Sequence, residues 1–404
     1  MSTSLLDHAF GIRGYHYTRT DYQDGQTIFT IHQEPPTCRC SACGSSRVLS
    51  RGHVPRRFRT VPIGPRATLV VLPIPRVECQ DCGVVRQVKV PFADPRRSYT
   101  SAFERYALEL SRRMTIRDVA VHLGVGWDMI KDIQERDRSR RYAKPKLKHL
   151  RQIAIDEIAI AKGHRYLIIV LDLESGAVAF VGDGKGAKAL KPFWERLRGS
   201  KAKIEAVAMD MSPAYREAAS TDLPQAKIIF DRFHVMKLFN EELSELRRAL
   251  HREAADVMQK KVLKGTRWLL LKAAEGLDEE RDEKAKLKEA LALNQSLAVA
   301  YYLKEDLRQS WEQPGKKFGT LFLDGWIKRA ESSGIKVLQQ MARTLAAHRS
   351  GLLAYYDVMI TSGPMEGTNN KIKTMKRQAY GFRDKEFFKL KILAIHETRY
   401  ELVG

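Results

Sequence analysis

The sequence predicts a multidomain α/β protein: a β-rich cysteine domain, a short helical module, and a mixed-sheet core interrupted by an all-α insertion. Three observations predict it. All five cysteines fall within the first 82 residues. Strand-like and helix-like patterns alternate over residues 151–231. Residues 232–363 read as helical, with Pro314 as their one proline.

The chain has 404 residues, 44% hydrophobic and 29% charged, which excludes mostly disordered, fibrous and disulfide-stapled classes. No apolar run approaches the roughly 18 residues of a membrane span. Met1–Phe10 lack a basic region followed by a long apolar stretch, so no export signal is expected and the cytoplasm is the expected compartment. Lys and Arg number 70 against 48 Asp and Glu, a net charge of +22. Such a surface repels itself unless it meets a polyanion, and nucleic acid is the commonest one; a basic surface kept for solubility is the plainer alternative.

Residues 1–98 form the predicted β-rich domain. Cys40-x-x-Cys43-Gly44 and Cys79-x-x-Cys82-Gly83 are matching knuckles. Each brings two thiolates to one side of a tight turn, and the glycine permits the backbone that turn needs. Together they complete a four-thiolate site for one structural Zn²⁺, closed to catalysis. Cys38 is the spare and could replace Cys40.

Residues 99–137 read as a helix-turn-helix. Phe103, Tyr106, Ala107 and Leu110 share a face; Thr115 caps the next helix with Asp118 three residues on; Gly124 ends it, and Val125 and Ile130 seat a second helix to about Glu135. A plain helical hairpin is the alternative. Residues 51–150 carry 22 Lys and Arg against 10 Asp and Glu. The excess peaks in a linker, residues 138–150, where Arg138, Arg140, Arg141, Lys144, Lys146 and Lys148 are expected to lie along DNA phosphates, or to be a solvated spacer.

Residues 151–235 begin the core. Asp156 lies within a first strand, Asp210 ends a later buried one, and Asp231 ends another. Carboxylates so placed are costly without a partner, an ion pair, a helix cap or a metal. Ser212 and Pro213 suit the start of a helix. Residues 236–360 form the helical insertion, with Trp268, Trp311 and Trp326 expected as core more than as wedges into DNA. Residues 361–404 return to the core. Glu366 falls in the first turn of a helix, where the dipole favours its ionised form; Asn370 and Lys373 share its face, opposite Met365, Ile372 and Met375.

These segments resemble the ISL3 family of bacterial insertion-sequence transposases, which use an Asp-Asp-Glu triad on an RNase H-like core. The resemblance rests on Ile155-Asp-Glu157, Ala208-Met-Asp-Met-Ser-Pro-Ala-Tyr215, Asp231-Arg-Phe-His234 and Ser362-Gly-Pro-Met-Glu366-Gly-Thr-Asn-Asn-Lys371, and covers essentially the whole chain. It implies Asp156, Asp210 and Glu366 as the triad, holding two Mg²⁺ or Mn²⁺ ions per active site. Asp231 and His234 match an aspartate-x-x-histidine motif, His234 being expected beside the metals or facing DNA more than binding metal. Lys373 falls where relatives carry a basic residue. Further implications are binding of double-stranded DNA at terminal inverted repeats and target sites, strand cleavage and transfer, a homodimer, and a place with the nucleoid. A DNA-binding regulator or inactive transposase relic, and a structure-selective nuclease, are the competing functions.

Overall fold

The computed structural model describes residues 4–161, 163, 165–361 and 363–397. The chain divides into two units: residues 1–143 with 378–404, and residues 144–377.

In the first unit, α1 (Leu5–Phe10) precedes a sheet of β1 (His16–Gln23), β2 (Gln26–His32), β3 (Val48–Ile63), β4 (Arg66–Cys79) and β5 (Val85–Gln87). Strand order is β1-β2-β4-β3, with β5 also on β4; β2 and β4 run parallel and the other pairs antiparallel. Strand β4 buries Thr68, Val70, Leu72 and Ile74 at period two, and the last three cluster with Leu6, Phe10, Ile31 and Phe58.

Then come α2 (Ser101–Leu110), α3 (Ile116–Leu123) and α4 (Trp127–Tyr142). Thr115 and Asp118 form a complete capping box, and Gly124 closes α3 in the left-handed conformation at φ 60°. Phe103, Val119, Leu123, Ile130 and Ile133 form the helical core. The second helix runs past Glu135 to Tyr142, so Arg138, Arg140 and Arg141 lie on α4 rather than in a linker. Asp137 explains the extension, accepting from Arg140 (3.0 Å) and Arg141 (3.4 Å) one turn on.

The chain's last described helix, α16 (Lys385–Leu393), packs Phe387 into that helical core; residues from Gln378 onward group with this unit rather than with the core expected for 361–404. Asp384 caps α16 and takes Lys131 of α4 at 2.5 Å. Lys391 is buried beside the Phe382 and Phe387 rings and repelled by Arg138; burial pulls its ammonium down to about 7. The unfolded chain binds that proton up to about pH 10.4, so this group makes stability rise with pH from about 7 to that value. Lys391→Met is expected to raise Tm at pH 7, by on the order of a few kcal/mol in stability, and to flatten that slope in a pH series of thermal melts. An unchanged slope would exclude Lys391 as its source.

In the second unit, β6 (Gln152–Ala161), β7 (Arg165–Asp172) and β8 (Val178–Asp183) form an antiparallel meander, followed by α5 (Ala187–Ser200), β9 (Ala206–Met209), α6 (Pro213–Asp222) and β10 (Lys227–Phe230). Strand order is β10-β9-β6-β7-β8, with β9 parallel to β6 and β10 parallel to β9. This is the expected RNase H-like order, with β6 at its centre. Strands β7 and β9 are almost wholly buried, as their apolar runs require.

Helix α7 (Arg232–Glu253) opens the insertion, followed by α8 (Val257–Gly265), α9 (Glu283–Ala292), α10 (Gln295–Arg308), α11 (Lys316–Ser332), α12 (Lys336–Ala347), α13 (Arg349–Leu353) and α14 (Tyr355–Val358). Trp326 is fully buried and donates to the Leu303 carbonyl (2.8 Å), Trp311 is nearly buried, and Trp268 is exposed. Helix α15 (Gly363–Gln378) ends the unit's helical sequence. No helix among the described residues is long and apolar enough to cross a membrane.

Candidate active site and zinc centre

The two knuckles adopt the same turn. The Gly44 and Gly83 N–H groups donate to the Cys40 and Cys79 carbonyls, both at 2.9 Å, with φ of 77° and 69°. An L side chain is strained at such φ, which is why glycine follows each Cys-x-x-Cys. The four sulfurs all lie within 4.8 Å of one another; Cys43–Cys79 is 3.5 Å and Cys40–Cys82 is 3.7 Å. A tetrahedral zinc with bonds of about 2.3 Å sets sulfurs about 3.8 Å apart, so the donor set fits that ion. Cys38 is outside the cluster: its buried thiol joins the apolar core and faces the Glu34 carbonyl at 3.8 Å. The fourth ligand position therefore falls to Cys40.

In the second unit, Asp156 sits on the central strand β6, half-buried. Its Oδ1 accepts from the Glu157 N–H (2.8 Å) and its Oδ2 from the Asn369 side-chain amide (2.6 Å). The His234 Nε2 lies 3.7 Å from Asp156 Oδ1 and 3.9 Å from Asp231 Oδ2. Burial pushes the Asp156 carboxyl above its ordinary value, opposed by His234 and by the two hydrogen bonds, and reinforced by the charge of Asp210. Asp210 follows β9 and accepts from the Ser212 N–H (2.8 Å), tightening the turn into α6. Asp231 follows β10, is buried, and caps α7 by accepting from the Phe233 N–H (3.1 Å).

Glu366 is exposed in the first turn of α15 and lines a cleft of about 840 Å³ together with Asp231. Asn370 and Lys373 are exposed on α15, while Met365, Ile372 and Met375 are buried as expected. The α15 residue that reaches Asp156 is Asn369, the neighbour of the expected Asn370. Asn369 is buried and its Oδ1 has no hydrogen-bond partner among the described residues. It lies three residues after Glu366, one helical turn on, a spacing as visible in the sequence as that of Asn370. Ser362 of the same motif lies outside the described residues.

Among the described residues, the four cysteines are the only group of three or more His, Cys, Asp or Glu whose ligand atoms come within 4.8 Å of one another. Asp156, Asp210 and Glu366 do not reach that spacing; Asp210 acts on Asp156 through its charge, and the helix of Glu366 reaches Asp156 through Asn369. Two neighbouring carboxylates, Glu157 and Asp172, have other work. Glu157 accepts from the Tyr215 hydroxyl and from the Gly186 N–H (3.1 Å), and Asp172 ties the turn through the Glu174 N–H (3.2 Å). Burial and the Glu157 bond push the Tyr215 hydroxyl far above its usual range, so it stays a donor.

Of the basic residues, Arg138 is buried and donates to Gln134 (2.6 Å), which removes it from any DNA-facing surface. Arg140, Arg141, Lys144, Lys146 and Lys148 are exposed. Leu147, between Lys146 and Lys148, and Leu150 just after them anchor in the core of the second unit.

Three family models match the chain. One described as a transposase covers residues 153–392, one described as the helix-turn-helix domain of transposase family ISL3 covers 88–137, and one described as the zinc-finger of transposase IS204/IS1001/IS1096/IS1165 covers 36–82. The transposase for insertion sequence element IS1001 of Bordetella parapertussis is 29% identical over 401 residues, 98% of either chain. The transposase for element IS1557 of Mycobacterium tuberculosis is 29% identical over 372 residues, 85% of this chain and 82% of the other. Among solved structures, a Drosophila P element transposase strand transfer complex matches with TM-score 0.44 and 10% identity, covering 76% of this chain and 94% of that one.

Proposed function

Because the chain belongs to the ISL3 family of transposases, we propose that it binds the terminal inverted repeats of an insertion sequence and cuts and joins them by metal-dependent phosphodiester chemistry. The observation that carries the proposal is the bond from Asn369 to Asp156, which ties the helix of Glu366 to the central strand across 213 positions of sequence. Asp156, Asp210 and Glu366 form an all-oxygen donor set, the set that hard divalent ions require. Two such ions, when bound, stabilise the attacking and leaving oxygens of an in-line displacement.

The chain's own side chains prepare this. Asn369 and the Glu157 N–H hold both oxygens of a carboxylate that burial would otherwise drive toward its neutral form. Asp231 fixes the start of α7, and so places His234 between two carboxylates. Asn370 and Lys373, on the exposed face of the Glu366 helix, are suited to a DNA phosphate. Displacement by water or a 3′-hydroxyl needs no covalent protein–DNA bond, so no serine or tyrosine nucleophile is required. The helix-turn-helix and the exposed bases at Arg140–Lys148 supply duplex contacts at the ends and target, the four cysteines hold one structural zinc, and a homodimer on nucleoid DNA would cut two ends together.

The test is incubation of the full chain with Mg²⁺ and duplex carrying the inverted repeats that flank its gene, with mapping of the nicked strand. Cleavage at the repeat boundary is expected. Asp210→Asn is expected to lower it by about a thousandfold or more while leaving end binding within a few-fold. End binding without cleavage by the unaltered chain would favour a regulator or relic. Undiminished cleavage by Asp210→Asn would remove Asp210 from the site.

A further inference from the structure

The cleft that holds Asp231 and Glu366 does not stop at the carboxylates. Helix α7 lines it along most of its length: Phe233, Lys237, Asn240, Ser244 and Arg248 recur every three or four positions, so one helical face forms a continuous wall. From Asp231 to Arg248 that wall extends about 25 Å at 1.5 Å per residue. Arg267 and Arg308, from segments after α7, line the same cleft.

The charge along this wall is uneven. Five lining side chains are cationic and three anionic, and two of the three acids are Asp231 and Glu366. Arg248 and Arg267 also crowd Arg247, whose guanidinium is held below its ordinary value by burial first and by these two like charges second. Arg248, Arg308 and Arg232 each have an acidic neighbour, Glu245 (2.6 Å), Glu305 (3.4 Å) and Glu312 (3.5 Å), but none of these acids lines the cleft, so within it cations outnumber acids and an anionic ligand is favoured. The cleft thus carries an extended basic face that leads to the carboxylates.

We propose that this wall, through Lys237, Arg248, Arg267 and Arg308, is a track for the sugar-phosphate backbone of the DNA strand that enters the carboxylate site. The proposal rests on the function inferred above and assigns the inserted helices a positioning role in it. Successive phosphates of one B-form strand lie about 7 Å apart, twice the axial rise per step, so 25 Å of wall spans roughly four of them. The cations would hold the strand in register so that one phosphate stands at the carboxylates, without reading sequence.

The experiment uses the full chain, Mg²⁺ and terminal-repeat duplexes carrying one neutral methylphosphonate at successive positions beside the cleaved bond. In the unaltered protein, neutral linkages within roughly four steps on one side are expected to slow cleavage. In Arg248→Gln/Arg267→Gln, slowing at some of those positions should disappear, because the cation that felt the lost charge is gone. Its KM for DNA should rise about tenfold, with the rate at saturating DNA within a few-fold. Arg308→Gln alone serves if the double variant unfolds. An interference pattern and KM identical to those of the unaltered protein would overturn the track while leaving the transposase function standing. If the unaltered protein cuts no end DNA, the function falls instead. The track is then judged by equilibrium binding of the same duplexes, where each lost cation should lower the salt slope by about 1, and an unchanged slope overturns it.

Discussion

Cys79→Ser is expected to strip the chain of zinc and to melt one end of the first unit, not all of it. Cys79 is the last residue of β4, so the ion ties the end of the central strand to the Cys40–Cys43 turn before β3. Besides the ion, Asp81 links the knuckles by accepting from Ser45 and from Arg47 Nε (2.7 Å), a surface contact worth little alone. In zinc-finger peptides the metal supplies about 10–16 kcal/mol of folding free energy. Here the effect is smaller and local, because Phe58, Val70, Leu72 and Ile74 pack with Leu6 and Phe10 of α1 in an apolar cluster that includes none of the four zinc-site cysteines. Metal analysis should fall from one zinc per chain to none. Hydrogen exchange should lose protection over residues 38–50 and 76–87 and keep it over 66–74. Cys38→Ser should keep its zinc, since that thiol lies in the apolar core. Full zinc content in Cys79→Ser would defeat the assignment.

The features legible in the sequence share one property: their determinants are local. A Cys-x-x-Cys-Gly turn needs only its own glycine in the left-handed conformation, and a capping box needs only Thr115 and Asp118. Two of the core strands announced themselves by short apolar runs ending at Asp210 and Asp231. Misplaced features depended on partners far along the chain. Helix α4 was expected to stop near Glu135, and the acid-free residues 138–150 to be a linker; the neutralising Asp137 stands just before that run. Arg138 looked like a phosphate contact, yet α16 covers its helix and buries it. The destination of α16 itself depends on Phe387 and on the Lys131–Asp384 pair, 253 positions apart.

The choice between Asn369 and Asn370 shows the same limit at the site. Both follow Glu366 within one helical turn, at i+3 and i+4, and helical geometry places both near its face. What separates them is the packing of α15. Met365, Ile372 and Met375 turn toward the core, which carries Thr368 and Asn369 inward and leaves Asn370 in solvent. Amphipathicity identified the buried stripe but not its edge, and the residue at the edge is the one that meets Asp156.

Asp156→Asn and Asn369→Ala should therefore separate two kinds of loss. Asp156→Asn keeps the shape and removes the charge. If Asp156 holds a divalent ion, cleavage should fall by about a thousandfold or more, with no rescue by raised Mg²⁺. Asn369→Ala removes a donor that only orients that carboxylate. Partners of this kind cost about 10–100-fold in metal affinity or activity, and here the cost should appear chiefly as a higher Mg²⁺ requirement. Without the amide, one of the bonds that favour the charged form of Asp156 is lost and burial acts with less opposition. The carboxyl pKa then rises, so the acid limb of the pH–rate profile should move to higher pH in Asn369→Ala. Asn370→Ala, in solvent on the same helix, should leave both the Mg²⁺ requirement and that limb unchanged. Equal behaviour of the two asparagine variants would mean that the 2.6 Å contact does not position the reacting carboxylate.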